Sequence, residues 1–450
     1  MRLFLLVLLS FVSADLIGQR SVGQHPVGQR SVRRQAVARR PFPKRYVNVS
    51  HLNHLYQPFT LANGTEVGTV FIYSEAPTYT LVADSDEGFT CVDDVARAGL
   101  FLLHEPDLPT DTDKQNKLMK LTEMVLQMQA TEPDSVAGYF YNFLFKRSVE
   151  PINKRFRTSV ASPNFWSWRA FWFLTEVYSY FHRTSPALAD RIEQANQRLQ
   201  AVMLRDFGSK PRTFVTVRGV QVPTWLPFGS GSDQAAIMLL GLLNRYQQKP
   251  DSAVVHLIEQ LGDGIVAMRQ GGPGQFPYGA ILSYENNWHA YASDQSYALQ
   301  RAGKILNKPE WQAVARQEIN NFYPYLLKQG FLESFELKQV GNERRLFKRG
   351  QFPQIAYGIR PMIWAALEAY EQTKEMKYAD LAGRLSSWFL GRNAAKTPLY
   401  DPATGRGYDG IISAGKLNRN SGAESTIEAL WAFQKLEQYP AAIKALENYK

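Results

Sequence analysis

Carboxylates recur along this chain at matching places. Asp93 and Asp94 sit in the apolar stretch "VDDVARAGLFLL", Asp233 and Asp294 each occupy a Ser-Asp-Gln triplet before another, and Glu424 stands in "GAESTIEALWAFQKL". Each lies just before or within the first turn of a segment with helical apolar spacing. An acid there is an ordinary helix cap, which satisfies orphan N–H groups and complements the macrodipole. Capping needs one acceptor per helix, and the doubled acid at 93–94 exceeds that need. Two carboxylates across a cleft are what glycoside hydrolysis requires. One protonates the leaving oxygen, and the other activates water at a separation of roughly 6.5–9.5 Å or attacks directly at roughly 5–5.5 Å. A helix N-terminus favours the ionised form and suits a base, whereas the acid needs a raised pKa. The residues therefore point to Asp94 as base, with Asp93 beside it, and to Glu424 as acid.

These acids chemically matter together only if the elements carrying them converge. Apolar helical segments recur around Asp94, Asn164, Asp233, Asp294, Tyr357 and Glu424, at spacings of 70, 69, 61, 63 and 67 residues. Between them lie more polar amphipathic stretches at 114–130, 186–206, 251–269, 309–329, 375–390 and about 440–449. Six buried helices alternating with six half-exposed ones suit an inner ring enclosed by an outer ring. The period exceeds the roughly 33–47 residues of common short-helix solenoids. Strand patterns at "EVGTVFIYS" and "YTLVAD", and hairpins at "RTFVTVRGVQVPTW" and "ESFELKQVGNERRLFKR", ornament an otherwise all-α chain.

Over residues 88–450 the six-hairpin count and the acids at inner-helix starts resemble the six-hairpin glycosidase superfamily, the (α/α)6 toroids. The resemblance implies that the inner helices point one way and that their N-termini meet at one mouth. In endoglucanase-like members an early aspartate pair supplies the base and a glutamate at the last inner helix the acid, which implies Asp93/Asp94 and Glu424. The chain lacks the aspartate-glycine-aspartate motif of those members, and the spacing around "LGRN" (390–393) differs. Unsaturated-uronyl members imply proton donation from Asp294 or Asp233 instead. A polysaccharide lyase would lean on Arg360, Tyr357 and His289. A non-catalytic glycan-binding toroid would keep the aromatics and tolerate loss of the carboxylates.

Sugars bind on flat apolar faces with planar polar groups nearby. Trp166, Trp168, Trp225, Tyr278, Trp288 and Tyr408 fall in or next to loops before inner helices, as do Tyr139 and Tyr141. They are the candidate platforms, with His289, Tyr357, Arg360 and Asp409 as polar contacts. Asp409 in "GRGYDGI" also reads as a turn residue. Arg169 and Arg360 lie inside apolar helices and call for acidic partners or an anionic sugar.

The net charge of +10 resides mainly in the first 45 residues, where nine Arg/Lys face one acid. The remainder is nearly neutral, so the excess argues against nucleic-acid binding. Residues 1–14, with Arg2, "LFLLVLLSFV" and "VSA", read as a secretory signal peptide. Residues 15–45 read as a disordered basic linker, and 46–450 as one toroid domain. The leader's apolar run falls short of the roughly 20 residues of a membrane span, so no membrane span is expected. Cys91 is the single cysteine, which excludes an internal disulfide and suits a secreted or periplasmic bacterial setting. Asn48 and Asn63 match glycosylation sequons that such a setting leaves unused. No dinucleotide, P-loop, HExxH or GxSxG motif occurs, and the seven histidines are scattered. No cofactor or transition metal is expected. Calcium, whose oxygen ligands leave little sequence trace, stays open. The expected partner is an oligo- or polysaccharide, and the oligomeric state is not legible.

Overall fold

Short stop signals cut the helical stretches into hairpins. A computed structural model describes residues 45–449 other than 133, 135 and 148. After a one-turn-and-a-half helix α1 (Ser50–Leu55), six hairpins follow: α2 (Val92–Leu103) with α3 (Thr112–Gln127), α4 (Phe165–Thr184) with α5 (Pro186–Phe207), and α6 (Ser232–Gln248) with α7 (Ser252–Ala267). Then come α8 (Gln295–Ile305) with α9 (Pro309–Gln317) and α10 (Tyr323–Gln329), α11 (Arg360–Thr373) with α12 (Met376–Ser386), and α13 (Ala423–Leu436) with α14 (Pro440–Tyr449). Asp111 and Asp251 cap α3 and α7 by accepting from Lys114 N and Ala253 N at 3.1 and 2.8 Å. Proline opens α5, α9 and α14, where its missing N–H costs nothing. Between α9 and α10 the fourth outer helix passes through a wide π-turn, Glu318–Phe322. Pro324 just beyond it cannot donate to the preceding turn, and the wide turn accommodates the misfit.

Contacts run α2–α4–α6–α8–α11–α13 and back from α13 to α2, so the inner helices form a closed ring. This is the (α/α)6 toroid of the sequence reading, with every anchor position on an inner helix or immediately before one. The apolar core lies between the rings. Small residues bring inner helices close together: a Cβ added at Gly241 of α6 would stand 2.5 Å from the Phe171 ring and 3.1 Å from the backbone nitrogen of Trp172 on α4.

The two ends of the ring are built differently. Connections from inner to outer helix are short, at 104–111, 185, 249–251, 306–308, 374–375 and 437–439. Connections from outer to inner helix are long, at 128–164, 208–231, 268–294, 330–359 and 387–422, and they carry the small antiparallel sheets. The expected hairpins at 214–223 and 334–350 are present, with turns at Arg218-Gly219 and Gly341-Asn342. Strand Asn287–His289 joins the second of these, which the sequence did not suggest. The expected first strand is split. Glu66–Val70 pairs with Tyr56–Thr60, and Tyr73–Glu75 pairs with Thr80–Val82. Pro58 disguises Tyr56–Thr60, because proline in a run argues for an edge strand or none.

The expected signal peptide and all of the expected linker except Arg45 lie outside the described residues. Arg45 ion-pairs with Glu105 and Glu437 at 3.0 and 3.2 Å, and Tyr46 behind it is buried. Among the described residues no helix is long and apolar enough to cross a membrane. Replacing Gly241 by leucine should drive α4 and α6 apart and cost about 1–3 kcal/mol. A urea unfolding midpoint equal to wild type would contradict this account of their approach.

Candidate active site

The long-connection end of the ring gathers the candidate acids. Asp93 and Asp94 occupy the first turn of α2, and Arg97 follows one turn later, with no accessible surface. Its guanidinium pairs with Asp93 Oδ2 at 2.9 Å, Asp94 Oδ1 at 2.9 Å, Glu424 Oε2 at 3.0 Å and Glu428 Oε1 at 3.3 Å. The first helix of the ring is thereby tied to the last. Arg169, one turn into α4, pairs with Asp93 Oδ1 at 2.5 Å and donates to the Tyr357 hydroxyl at 2.5 Å. Arg360, at the start of α11, pairs with Asp294 Oδ1 at 2.6 Å and Glu428 Oε2 at 2.7 Å. Tyr357 stands among the three guanidiniums, with carbons 4.6, 5.0 and 5.3 Å from its ring centre. Its hydroxyl donates to Asp294 at 3.4 Å.

Within this network the acids differ in access. Glu424 keeps 35% of its side chain accessible and Asp93 14%, against 6% for Asp94 and none for Asp294. Asp94 also accepts from the buried Cys91 thiol at 3.3 Å. Asp94 and Asp294 therefore lie in the floor, while Asp93 and Glu424 face the mouth. Burial, opposed by Arg97 and assisted by the charges of Asp94 and Glu428, raises the Glu424 carboxyl to about 7. Burial likewise raises Asp94, with Arg97 opposing. Burial works against the charged form of Arg97, but the surrounding carboxylates win and hold it charged.

Asp233, on the first turn of α6, lies in a neighbouring dyad. Its Oδ2 faces His289 Nε2 at 3.3 Å, and His289 Nδ1 bonds the Tyr291 carbonyl at 2.8 Å. Burial would lower the His289 pKa, but the bond to Asp233 and its charge prevail and raise it. Tyr291 links this dyad to the network, its ring 4.6 Å from that of Tyr357.

The expected tryptophan platforms are elsewhere. Trp166, Trp168, Trp225 and Trp288 are all buried in the core. The first three donate their indole N–H to Phe140 O, Gln234 Oε1 and Gln260 O at 2.7–2.9 Å, and Trp288 stacks on Phe335 at 5.3 Å. Large rings in turn-rich segments before inner helices are needed to seal those helices against their neighbours, which sequence position alone does not distinguish from a platform. Tyr278 packs half-buried against Phe276 and Tyr325. Tyr408 is half-buried, with the Arg419 guanidinium 5.7 Å from its ring centre. Asp409 accepts from Gly422 N at 3.1 Å and Ser425 Oγ at 2.8 Å, which fixes the start of α13. Half-exposed Tyr291 reaches the network through Tyr357, and half-exposed Phe165 packs edge-on to Tyr291 at 5.9 Å.

Arg97, Glu428, Tyr291 and Phe165 escaped the sequence reading. Arg97 had a signal. It is a lone cation in an apolar helix, three and four residues beyond two aspartates, as Glu428 is a lone acid four beyond Glu424. Among the described residues no group of three or more His, Cys, Asp or Glu is arranged to hold a metal ion. Guanidiniums take the place a cation would fill.

No family model matches the chain, and a search of curated proteins returned no match. Solved structures do share its fold. A cellobiose 2-epimerase from Bacillus thermoamylovorans superposes with a TM-score of 0.52 at 11% identity, over 80% of this chain and 94% of that one. A sugar epimerase from a ruminal bacterium gives 0.52 at 10% over 80% and 94%, and a glycosyl hydrolase family 88 protein from Bacteroides vulgatus gives 0.50 at 10% over 77% and 91%. These are toroids of the six-hairpin glycosidase type, and the fold is what this chain shares with them.

The raised Glu424 carboxyl has a consequence for stability. Its folded pKa of about 7 exceeds the ordinary 4.5, so the folded state holds the proton more tightly. That contribution is fully present below about pH 4.5 and is lost as pH rises through about 7. Glu424→Gln should therefore gain stability relative to wild type between about pH 4.5 and about pH 8. Urea midpoints for the two proteins that keep a constant gap across this range would refute the shift. Arg97→Met, which strands its carboxylates, should cost about 3–5 kcal/mol at neutral pH.

Proposed function

We propose that this chain is a glycoside hydrolase in which Glu424 is the proton donor and Asp93 the base. The observation that carries the reading is the contrast between these two mouth-facing carboxylates on one guanidinium. Glu424 is held protonated towards neutrality, whereas Asp93 is ion-paired on both oxygens, to Arg97 and Arg169. A carboxyl with a raised pKa facing a second, accessible carboxylate is what acid–base hydrolysis of an acetal uses.

Spacing favours Asp93 over Asp94 as the partner. Asp94 and Glu424 accept from the same nitrogen, Arg97 Nη1, at 2.9 and 3.0 Å, so those oxygens lie within ~6 Å of each other. That is short of the roughly 6.5–9.5 Å of inverting pairs. Asp93 binds the other terminal nitrogen, and its oxygen lies within ~8 Å of Glu424, a span that includes the lower part of the inverting range. Water held by Asp93 would attack the anomeric carbon as Glu424 protonates the departing oxygen. Tyr291, backed by Phe165, supplies an aromatic wall beside them. We place the reaction outside the cytoplasm, on the strength of the leader sequence.

Arg360 weighs against a lyase. It is buried and paired on both sides, with Asp294 and Glu428, and so is not free to neutralise a uronate. The toroid fold, shared with a family 88 glycosyl hydrolase and two sugar epimerases, supports a carbohydrate substrate.

Glu424→Gln and Asp93→Asn should each lower kcat by about 10²–10⁴-fold, measured as new reducing ends on a polysaccharide panel. In wild type, kcat/KM should fall as pH rises through about 7, as the donor loses its proton. Absorbance from unsaturated uronates would instead assign a lyase, and binding without turnover a non-catalytic module. Anomeric NMR of the first product tests inversion.

A further inference from the structure

Beyond the first 45 residues, positive charge is unevenly placed. The hairpin segments 210–224 and 334–350 hold eight Lys/Arg against two acids, whereas the rest of 46–450 holds 34 against 38. Both segments belong to the long connections at the mouth end of the ring. The two hairpins touch. Gln339 N donates to the Arg218 carbonyl at 2.9 Å, which seats the Arg218-Gly219 turn against the strand Ser334–Val340.

That strand is the centre of three, between Glu343–Gly350 and Asn287–His289. Residues directly opposite one another share a face of a sheet. On one face Phe335 opposes Trp288, and both are buried with Leu337. The other face starts at Ser334 opposite His289 of the dyad. It runs on through Glu336 opposite Lys348 to Lys338 opposite Arg345. From Ser334 to Lys338 is roughly 13 Å of extended chain. Lys338 and Arg345 are like charges set directly opposite, an arrangement that is unfavourable unless an anion joins them. Arg345 pairs with Glu343 at 2.9 Å, Lys348 with Glu336 at 2.8 Å, and Arg218 reaches Glu336 at 3.9 Å; Lys338 has no ion-pair partner among the described residues. Amid them stands the exposed ring of Phe347, with the charged groups of Arg218, Lys338 and Lys348 at 4.1, 5.6 and 5.8 Å from its centre.

We propose that this face binds a polysaccharide bearing carboxylate or sulfate groups, as the outlying part of a chain whose cleaved bond lies in the mouth. For the site of cleavage the inference rests on the hydrolase reading above. Four cations against two carboxylates leave positive charge for an anionic group to neutralise. Phe347 offers a flat apolar surface for the C–H face of a sugar ring. The cationic face begins at His289, beside the mouth, and extends further than one sugar residue, so it suits a chain rather than a monosaccharide. Single-stranded nucleic acid calls for a succession of stacking rings, and this face exposes one.

The test is calorimetric titration of the full chain carrying Glu424→Gln, so that turnover does not enter. Polygalacturonate and heparin serve as carboxylated and sulfated probes, dextran as the neutral one and single-stranded poly(dT) as a polyanion without sugar acids. At least one acidic polysaccharide should bind ~10-fold or more tighter than dextran, with an affinity that falls as salt is added. Lys338→Gln combined with Arg345→Gln should weaken that binding by at least ~10-fold, about 1.4 kcal/mol, and Phe347→Ala should also weaken it. Lys308→Gln combined with Lys377→Gln removes the same charge from the opposite end of the ring and should leave the affinity unchanged. The basic first 45 residues are common to every variant, and far-UV circular dichroism checks that each folds. No preference for an acidic polysaccharide over dextran overturns the proposal. So does tighter binding of poly(dT), or equal weakening by the two double variants. Release of reducing ends by wild type is scored separately. Binding that the sheet variants weaken, without any release, upholds this inference and removes the hydrolase reading; release with no preference for acidic polymers does the reverse.

Discussion

A single buried cation holds the architecture to its purpose. Arg97 reaches carboxylates on the first and last inner helices at once, so the contact that closes the ring is also the contact that arranges the acids. Desolvating so many charges is costly, and an ion network of this kind is weak support for stability in itself. Its value is positional. Three arginines and Tyr357 leave each carboxylate few geometries to adopt, and two different levels of access follow. Asp94 and Asp294 sink into the floor, while Asp93 and Glu424 remain in reach of the mouth.

The hairpin arrangement makes this convergence inexpensive in backbone terms. Short connections at one end fix how each hairpin turns. All the long connections therefore fall at the end where inner helices begin, where loops can vary without disturbing the core. The same polarity puts helix N-termini around the acids, and their dipoles help hold carboxylates there. The two ends of the ring thus differ in helix polarity, and Arg360 lies between the acids it pairs and the Trp364 and Trp431 rings.

Much of this was legible from the residues. Apolar periodicity located all six hairpins, because each inner helix is buried on nearly every face and each outer one on a single stripe. The acids at helix starts were legible for the same reason, since their positions were set by the period. Less legible was the division of labour among them. Nothing in the pair at 93–94 says which member faces solvent; that depends on Cys91 and Arg97 beneath. The tryptophans misled because residue type and loop location are shared by core seals and ligand platforms. Tyr291, which reaches the network, and Phe165 behind it looked unremarkable in sequence. Tyr56–Thr60 and Asn287–His289 were missed because short strands are defined by partners far along the chain.

Closure of α13 onto α2 has one more consequence. In a linear array of helical repeats the terminal units lack a neighbour, need polar caps and open first. Here every hairpin has two neighbours, and none is terminal. Melting cannot begin by fraying an end; it must first break the circle, and once broken the remaining hairpins lose the strain-free geometry that held the buried charges together. Such a molecule should come apart in one cooperative step rather than unit by unit.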